Sequence, residues 1–360
     1  TLRLGGQASI EQLSSEQQLK AKGEVRYDAQ ALSRLLLLTL GPDVRLQGDE
    51  AVRFEVAGRL SQPGAASGPV EWAKRWQASA DAGWSSASLY GLAMGAGKLE
   101  GKLVNGQLQI APLDIAFGQG KLTARPQVRL EPGAERLFLP SGPLLMHVQV
   151  SPQVSETMLK YIAPVVAGAS RTSGEFSVTL NDSQVPITDP EQMQVAGQLA
   201  VHHLVVAPGP MLQELETIIR QLKNLSKGKQ FLTAATSSRE SSVLTVSDRN
   251  IDFQVVQGRV YHRNLEFEID GVPVSSQGSV GFDQTLALVF EITLQEKWLG
   301  KNLRSMAGRT VQVPLQGTFQ KPRLDSRVIS DLASRFLQDA ATEAIGNEVN
   351  RQLEKLFRGR

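Results

Sequence analysis

Hydrophobic and polar residues alternate most regularly in the last third of the chain. From Leu286 to Leu294 every second residue is large and apolar, and the residues between them are mixed. Successive side chains of a strand point to opposite faces of its sheet, so this spacing predicts a strand with one continuous apolar face. The apolar positions are Leu286, Leu288, Phe290, Ile292 and Leu294.

The same alternation returns at Val311, Val313 and Leu315. Gly317 interrupts it at a place where a bulge or a close backbone approach fits. Pro322 has no N–H to donate, so we expect the strand pairing to end there. The sheet spanning 270–325 is the element around which we expect the rest of the chain to be organised.

Shorter strands with clear turn signals precede this sheet. Asn105-Gly106 separates two alternating segments and is a strong hairpin signal. Gly118-Gln-Gly120 predicts the next turn. Strands joined by short turns pair in sequence order, so this part is predicted to be a meander. The Ser-, Pro- and Gly-rich segment 61–69 is a loop or a weak domain boundary.

Four helices are predicted, over 28–40, 156–162, 210–225 and 326–357, the first two capped by Asp28 and Ser155. The last one carries an apolar residue every three to five positions over about 45 Å. It can pack along the sheet as a lid, or it can lie in a membrane interface. Its mixed charges favour the lid, because interfacial helices are predominantly basic.

Together these elements predict a mainly β fold with interspersed helices. The expected architecture is an elongated, curved antiparallel sheet, either a β-groove or a half-barrel, with a long C-terminal amphipathic helix. We divide the chain into an N-terminal β-rich part, 1–134, a C-terminal β-rich part with short helices, 135–325, and the amphipathic helix, 326–360.

Composition narrows the functional classes. With 38 basic and 36 acidic side chains the formal charge is +2, which gives no electrostatic reason to expect nucleic acid as a partner. Cysteine is absent, which rules out disulfides and thiolate metal sites. No run approaches the roughly 18 apolar residues that a membrane span needs. Since the chain starts at Thr1, we expect any signal peptide or membrane anchor to lie upstream.

No motif predicts catalysis. His202 and His203 are neighbours in a predicted strand and so point to opposite faces, which argues against a shared metal ion unless the strand has a bulge there. The segment 91–98 looks like a phosphate loop, but its spacing is wrong and Leu99 replaces the hydroxyl that would hold magnesium. Ser279 lacks the spacing of a nucleophile elbow. We therefore predict a protein without enzymatic activity, metal or cofactor.

Three segments resemble the AsmA-like family of bacterial envelope proteins, which is related in architecture to TamB and other repeating β-groove proteins. They are a strand–turn–strand unit over 278–288, a Gly-Thr-Phe-x-Lys-Pro-x-Leu-Asp run that ends at Asp325, and the Gly-punctuated strands of 99–113. The resemblance implies a protein of the periplasm, anchored in the inner membrane by an N-terminal helix. It also implies a role in outer-membrane homeostasis, and in larger relatives the movement of phospholipid along a hydrophobic groove.

On this basis we expect a non-enzymatic envelope protein whose apolar β-groove binds or guides phospholipid or another acyl lipid. An alternative is a structural module that pairs its sheet edges with envelope protein partners. A closed core is the other interpretation of the apolar residues taken singly. The candidate groove residues are Leu286, Leu288, Phe290, Ile292, Leu294, Val311, Val313 and Leu315.

Overall fold

The computed structural model describes residues 3–11, 18–30, 44–60, 74–89, 92–130, 135–169, 171–187, 189–207, 209–226, 244–298, 307–325 and 327. Within these residues the chain is mainly β, and every strand pairing is antiparallel. The prediction of a mainly β, antiparallel fold is confirmed.

The strands alternate between two sheets along most of the chain. In chain order they are β1 (Arg3–Glu11), β2 (Gln18–Asp28), β3 (Val44–Gln47), β4 (Asp49–Arg59), β5 (Trp76–Trp84), β6 (Ser86–Leu89), β7 (Leu92–Met94), β8 (Gly97–Val104), β9 (Gln107–Ile110), β10 (Leu113–Phe117), β11 (Gly120–Ala124), β12 (Gln127–Arg129), β13 (Arg136–Leu139), β14 (Gly142–Gln149), β15 (Thr172–Leu180), β16 (Ser183–Pro186), β17 (Val195–Val206), β18 (Leu244–Val256), β19 (Arg259–Ile269), β20 (Val272–Gly281), β21 (Thr285–Thr293), β22 (Thr310–Thr318) and β23 (Pro322–Leu324).

The first sheet has nine strands in the order β1-β2-β4-β5-β8-β9-β12-β13-β16. The second has fourteen, in the order β23-β22-β21-β20-β19-β18-β17-β15-β14-β11-β10-β7-β6-β3. From β17 onward the chain stays in the fourteen-stranded sheet and forms a simple meander. Before β17 it passes repeatedly from one sheet to the other.

Seven pairs of consecutive strands are single long strands that bend and cross between the sheets. The pairs are β3/β4, β5/β6, β7/β8, β9/β10, β11/β12, β13/β14 and β15/β16, and only one or two residues separate the two members of each pair. Neighbouring crossing strands pair in both sheets: for example, β5 pairs with β8 in one sheet, and β6 pairs with β7 in the other. The two sheets therefore meet along a common crease.

The residues at the bends explain why the strands turn there. Gly48, with φ of +126°, separates β3 from β4, a conformation that glycine adopts at little cost. Pro112, Pro126 and Pro140 lie at three of the other bends. Proline has no N–H for a ladder, so it interrupts pairing and lets the strand change sheets.

Apolar side chains of the two sheets meet at the crease. Trp84, at the end of β5, packs with Ala87 of β6 and Ile115 of β10, and all three are buried. The indole N–H of Trp84 donates to the carbonyl oxygen of Gly95 at 3.0 Å. This contact shows that the apolar face of the nine-stranded sheet is on the same side of the crease as that of the fourteen-stranded sheet.

Helices cover the apolar face of the fourteen-stranded sheet. A capping segment, 152–166, contains α1 (Pro152–Val154), a π-helical turn (Ser155–Leu159), α2 (Lys160–Ile162) and a 3₁₀ turn (Pro164–Val166). The longest described helix is α3 (Pro210–Ser226), and its residues Met211, Leu212, Leu215, Ile218, Ile219 and Leu222 are buried. Both elements belong to one large core with strands of the fourteen-stranded sheet between β7 and β22.

Several local predictions are confirmed. Asn105 and Gly106 both have positive φ between β8 and β9, the backbone expected of the predicted hairpin turn. The second turn joins β10 to β11 as expected, and α3 begins at Pro210. The capping segment begins earlier than predicted, because Ser151 rather than Ser155 accepts the hydrogen bond from the Val154 amide.

The remaining predictions are not confirmed. Pro322 does not end the pairing. It is the first residue of β23, which pairs with β22 and places Pro322 opposite Gly317. The predicted domain boundary near 134 falls between β12 and β13, which pair with each other, so the nine-stranded sheet is continuous across it. The C-terminal helix over 326–360 lies outside the described residues apart from Arg327, as does most of the helix predicted over 28–40. No helix in the described part is both long and apolar enough to cross a membrane.

Candidate functional site

The eight predicted groove residues form part of a closed core. Each of them is at most 5% exposed, and Phe290, Ile292, Val313 and Leu315 are completely buried. Alternation in β21 and β22 therefore correctly identified an apolar face. That face is filled by protein side chains, so these eight residues do not line an open groove, and the closed-core interpretation describes them. The eight are Leu286, Leu288, Phe290, Ile292, Leu294, Val311, Val313 and Leu315.

A second apolar surface, which the described residues do not bury, lies on the nine-stranded sheet. Residues that lie directly opposite each other on neighbouring strands have their side chains on the same face of the sheet. Following such opposite residues from strand to strand gives a set with one residue from each of the nine strands. This set, which we call the apolar row, crosses all nine strands without a polar member. It consists of Ala8, Ala21, Val56, Ala78, Leu103, Leu108, Val128, Leu137 and Val185.

Neighbouring rows on the same face are also apolar. A second row lies two residues along each strand from the apolar row, on the same face. On the first six strands it consists of Gly6, Gly23, Phe54, Ala80, Gly101 and Ile110. Many of these residues are glycine or alanine, so few side chains project from this face. Phe54 supplies the one large ring of this second row.

Solvent reaches this face in the structure. None of the nine members of the apolar row is buried; Ala8 is exposed and the other eight are half-buried. At its margins Leu4 is 70% exposed, Ile10 46% and Leu99 39%. Exposed aliphatic surface of this extent is unfavourable in water, at roughly 25 cal/mol for each Å².

The opposite face of the same sheet is polar. The row adjacent to the apolar row reads Gln7, Lys22, Glu55, Ser79, Lys102, Gln109, Gln127, Phe138 and Gln184. Phe138 is its one apolar member, and Arg129 lies 5.0 Å above its ring. A depression of about 940 Å³ over β1, β2, β4, β5 and β8 is lined mostly by side chains of this polar face. The sheet is thus amphipathic across its full width.

Ion pairs stabilise the polar face near the crease. Lys98 lies 2.8 Å from Asp81 and 2.9 Å from Glu100. The hydrogen bond from Lys98 lowers the pKa of Asp81 below its usual value. Arg53 contributes a backbone hydrogen bond to the same carboxylate at 2.9 Å. These groups pair with one another, and the side chains of Lys98 and Glu100 are exposed.

No histidine of the described part of the chain belongs to a group of side chains that could hold a metal ion. The rings of His147 and His202 stack with 4.4 Å between their centroids and 16° between their planes, so their nitrogen lone pairs lie in two separate, nearly parallel planes. Such lone pairs do not converge on one ion. The Ser177 hydroxyl lies 2.7 Å from His202 Nε2, and Glu175 lies 3.3 Å from His147 Nδ1. No group of three potential ligands that could hold a metal occurs among the described residues.

Two other polar residues are structural. Ser279, rejected above as a nucleophile, accepts a hydrogen bond from Arg259 Nε at 3.1 Å. His262 is 1% exposed inside the core, where its Nε2 lies 3.0 Å from the Ser276 hydroxyl. Burial lowers the pKa of His262 to about 4, so its ring is neutral at physiological pH.

Sequence reasoning missed the apolar row because its members are scattered over 178 positions of chain, with one in each strand. Val128 belongs to a strand of three residues, and Val185 to one of four. Strands this short show little alternation, and the row emerges only from the register between them. The usable signal was the apolar–polar alternation of β8 and β9 around the hairpin at Asn105.

Comparison of the chain with family models, with curated proteins and with solved structures finds no match. Its function is inferred below from the surfaces of the molecule itself.

Proposed function

We propose that this protein is a non-enzymatic lipid-binding protein that holds acyl chains against the apolar face of its nine-stranded sheet. The observation that carries the proposal is the apolar row, which crosses nine strands without a polar residue and is not buried by the described residues. The resemblance to AsmA-like envelope proteins supports a place in the bacterial periplasm and a role in outer-membrane homeostasis.

The dimensions of the face suit an acyl chain. Adjacent strands are separated by about 4.8 Å, so a row over nine strands extends for about 38 Å. The hydrocarbon core of a bilayer is about 30 Å thick, and the chains of one leaflet fill about half of it. The row is therefore long enough for two acyl chains laid end to end.

The chemistry of the face also suits this ligand. Acyl chains need contact area and make no hydrogen bonds, and the face offers aliphatic side chains and glycines over its whole width. Small residues such as Ala21 and Ala78 allow a chain to approach the backbone closely. The crease at Trp84 closes one side of this surface, where the apolar face of the second sheet begins.

Two adjacent residues with opposite orientation provide the test. Leu103 belongs to the apolar row, and Val104 faces the polar side and is 39% exposed. Leu103→Glu puts a charge where the acyl chain would lie, whereas Val104→Glu adds the same charge to the opposite face. Binding of a fluorescent phospholipid would be titrated for the unmodified chain and for both variants, and native mass spectrometry would detect co-purified lipid.

We expect Leu103→Glu to weaken binding on the order of tenfold or more, because an unpaired charge would be desolvated against hydrocarbon. Val104→Glu should bind like the unmodified chain. Equal binding by the two variants, or an unmodified chain that binds no phospholipid, would contradict the proposal. Circular dichroism of both variants checks that the sheets are retained.

A further inference from the structure

The first strand of the nine-stranded sheet has one free edge. β1 pairs with β2 along its whole length, in unbroken register from Arg3 opposite Arg26 to Glu11 opposite Gln18. On its other side no strand of the described residues pairs with it, and all nine of its residues are exposed. The far edge of the sheet differs, because Gln184 of β16 bridges to Gln194.

Within β1 itself, several features that usually prevent strand addition are missing, and its two charges lie at its ends. Natural edge strands are protected by proline, by bulges, by short length or by inward-pointing charges. β1 has nine residues, no proline and no register shift, and the side chains on its apolar face are Leu4, Gly6, Ala8 and Ile10. No described strand takes up the backbone N–H and C=O groups on its outer side, which are the groups that another strand would pair with.

The sequence of β1 is complementary to itself when it is reversed. An antiparallel copy centred on Gln7 places Arg3 opposite Glu11 and Leu4 opposite Ile10. The inner positions place Gly5 opposite Ser9, Gly6 opposite Ala8, and Gln7 opposite its own equivalent. Charge thus meets opposite charge, apolar meets apolar and small meets small on both sides of the central Gln7.

We propose that two copies of this chain pair through β1 about a two-fold axis at Gln7. The pairing joins two nine-stranded sheets into one, and the apolar row continues across the axis because Gly6 and Ala8 of each copy share its face. This contact is isologous, as is usual for two-fold dimers.

Charge near the ends of β1 favours this partner. Arg3 lies opposite Arg26 in the register with β2, an unfavourable juxtaposition of like charges. A second copy brings Glu11 to Arg3 at both ends of the new pair. Glu11 already lies 3.0 Å from Lys20 of its own chain, so the carboxylate is held at the strand end by an exposed ion pair.

Cysteine cross-linking tests the axis directly, because the chain has no cysteine of its own. Opposite residues of an antiparallel pair have Cβ atoms about 4.5–5.5 Å apart, close to the separation in a disulfide. Gln7→Cys should therefore form a disulfide-linked dimer under mild oxidation. Lys22→Cys is the matched control, because its position on β2 would be about 14 Å from its counterpart across three strand spacings.

Charge reversal tests the register. Arg3→Glu and Glu11→Arg should each raise the dissociation constant of the dimer about two- to thirtyfold, because each creates two like-charge pairs in the contact. The double variant Arg3→Glu/Glu11→Arg should restore it. Sedimentation velocity over a range of concentrations measures all four chains.

A chain that stays monomeric at every concentration and does not cross-link at Gln7→Cys overturns the proposal. Equal cross-linking of Gln7→Cys and Lys22→Cys would indicate random collision and would overturn it too. So would a double charge reversal no better than the single ones. The measurements contain no lipid, so their failure would leave the lipid-binding test unaffected.

Discussion

The two sheets carry the same alternation of apolar and polar residues, yet the apolar face of one is buried and that of the other is not. In the fourteen-stranded sheet a row in register, Phe267, Val274, Ile292 and Val311, is at most 5% exposed. In the nine-stranded sheet no member of the apolar row is buried. Alternation therefore determines that a face is apolar, and helices elsewhere in the chain determine whether it is covered.

The position of the helices explains the difference. The capping segment lies between β14 and β15, and α3 lies between β17 and β18, so both connect strands of the fourteen-stranded sheet. Their buried residues join the core of that sheet. At the far end of the nine-stranded sheet, the described connection between β8 and β9 is the short turn at Asn105-Gly106, which contributes no apolar cover.

The largest expected effect comes from truncating matched leucines in the two regions. Leu288→Ala removes a side chain that is 2% exposed in the sealed core and should lower the free energy of unfolding by about 2–5 kcal/mol. Leu103→Ala removes the same atoms from the half-exposed row and should cost about 1 kcal/mol or less, because the site leaves no closed cavity. Urea unfolding followed by circular dichroism measures both. Equal losses would show that the row is as well covered as the core.

Acid should weaken the sealed region through His262. Its pKa is lowered to about 4 by burial, whereas in the unfolded chain it has the ordinary value of about 6.5. Between these values the unfolded chain binds a proton that the folded chain does not. The free energy of unfolding therefore falls as pH falls, by about 3 kcal/mol in all, and this contribution is fully restored above pH 6.5.

His262→Gln is the control for this pH effect, since it keeps a polar partner for Ser276 and does not titrate. Urea midpoints measured from about pH 7 to about pH 4.5 should fall more steeply for the unmodified chain than for the variant. Parallel curves would mean that His262 is not buried in its neutral form.

A smaller effect is expected at the crease that joins the two regions. A Cβ on Gly97 would lie 2.3 Å from the Trp84 ring, so Gly97→Ala should cost about 1–3 kcal/mol by displacing the indole. Gly101 lies on the same strand, and its Cβ would meet only the flexible end of Leu108 at 3.3 Å. Gly101→Ala should therefore cost less than about 1 kcal/mol. Thermal unfolding monitored by tryptophan fluorescence separates them, and similar losses would contradict a tightly packed crease.

Local features of the fold could be predicted from the sequence. The strand at Leu286–Leu294, the hairpin at Asn105-Gly106 and the helix starting at Pro210 each depend on a few neighbouring residues. The crossing strands could not be predicted in the same way. A proline such as Pro126 or Pro140 suggests a loop, whereas here it marks a bend in a strand that continues in another sheet.

The candidate site was harder to predict than the fold. The residues with the clearest alternation, such as Phe290 and Val313, were the most hydrophobic in their segment and became core. The residues of the open row are smaller and isolated in sequence, such as Ala78 and Val128. Periodicity selects strongly apolar strands, which are the ones that a protein tends to bury.

The crossing strands have a consequence for how such a protein could change in size. Each hairpin of crossing strands supplies two strands to each of the two sheets. Inserting or deleting one hairpin would therefore widen or narrow both sheets together by about 10 Å. A single strand could not be gained without reversing the direction of every later one. The size of the sheets in this architecture thus changes by whole hairpins. A longer apolar surface needs additional crossing hairpins rather than a new kind of domain.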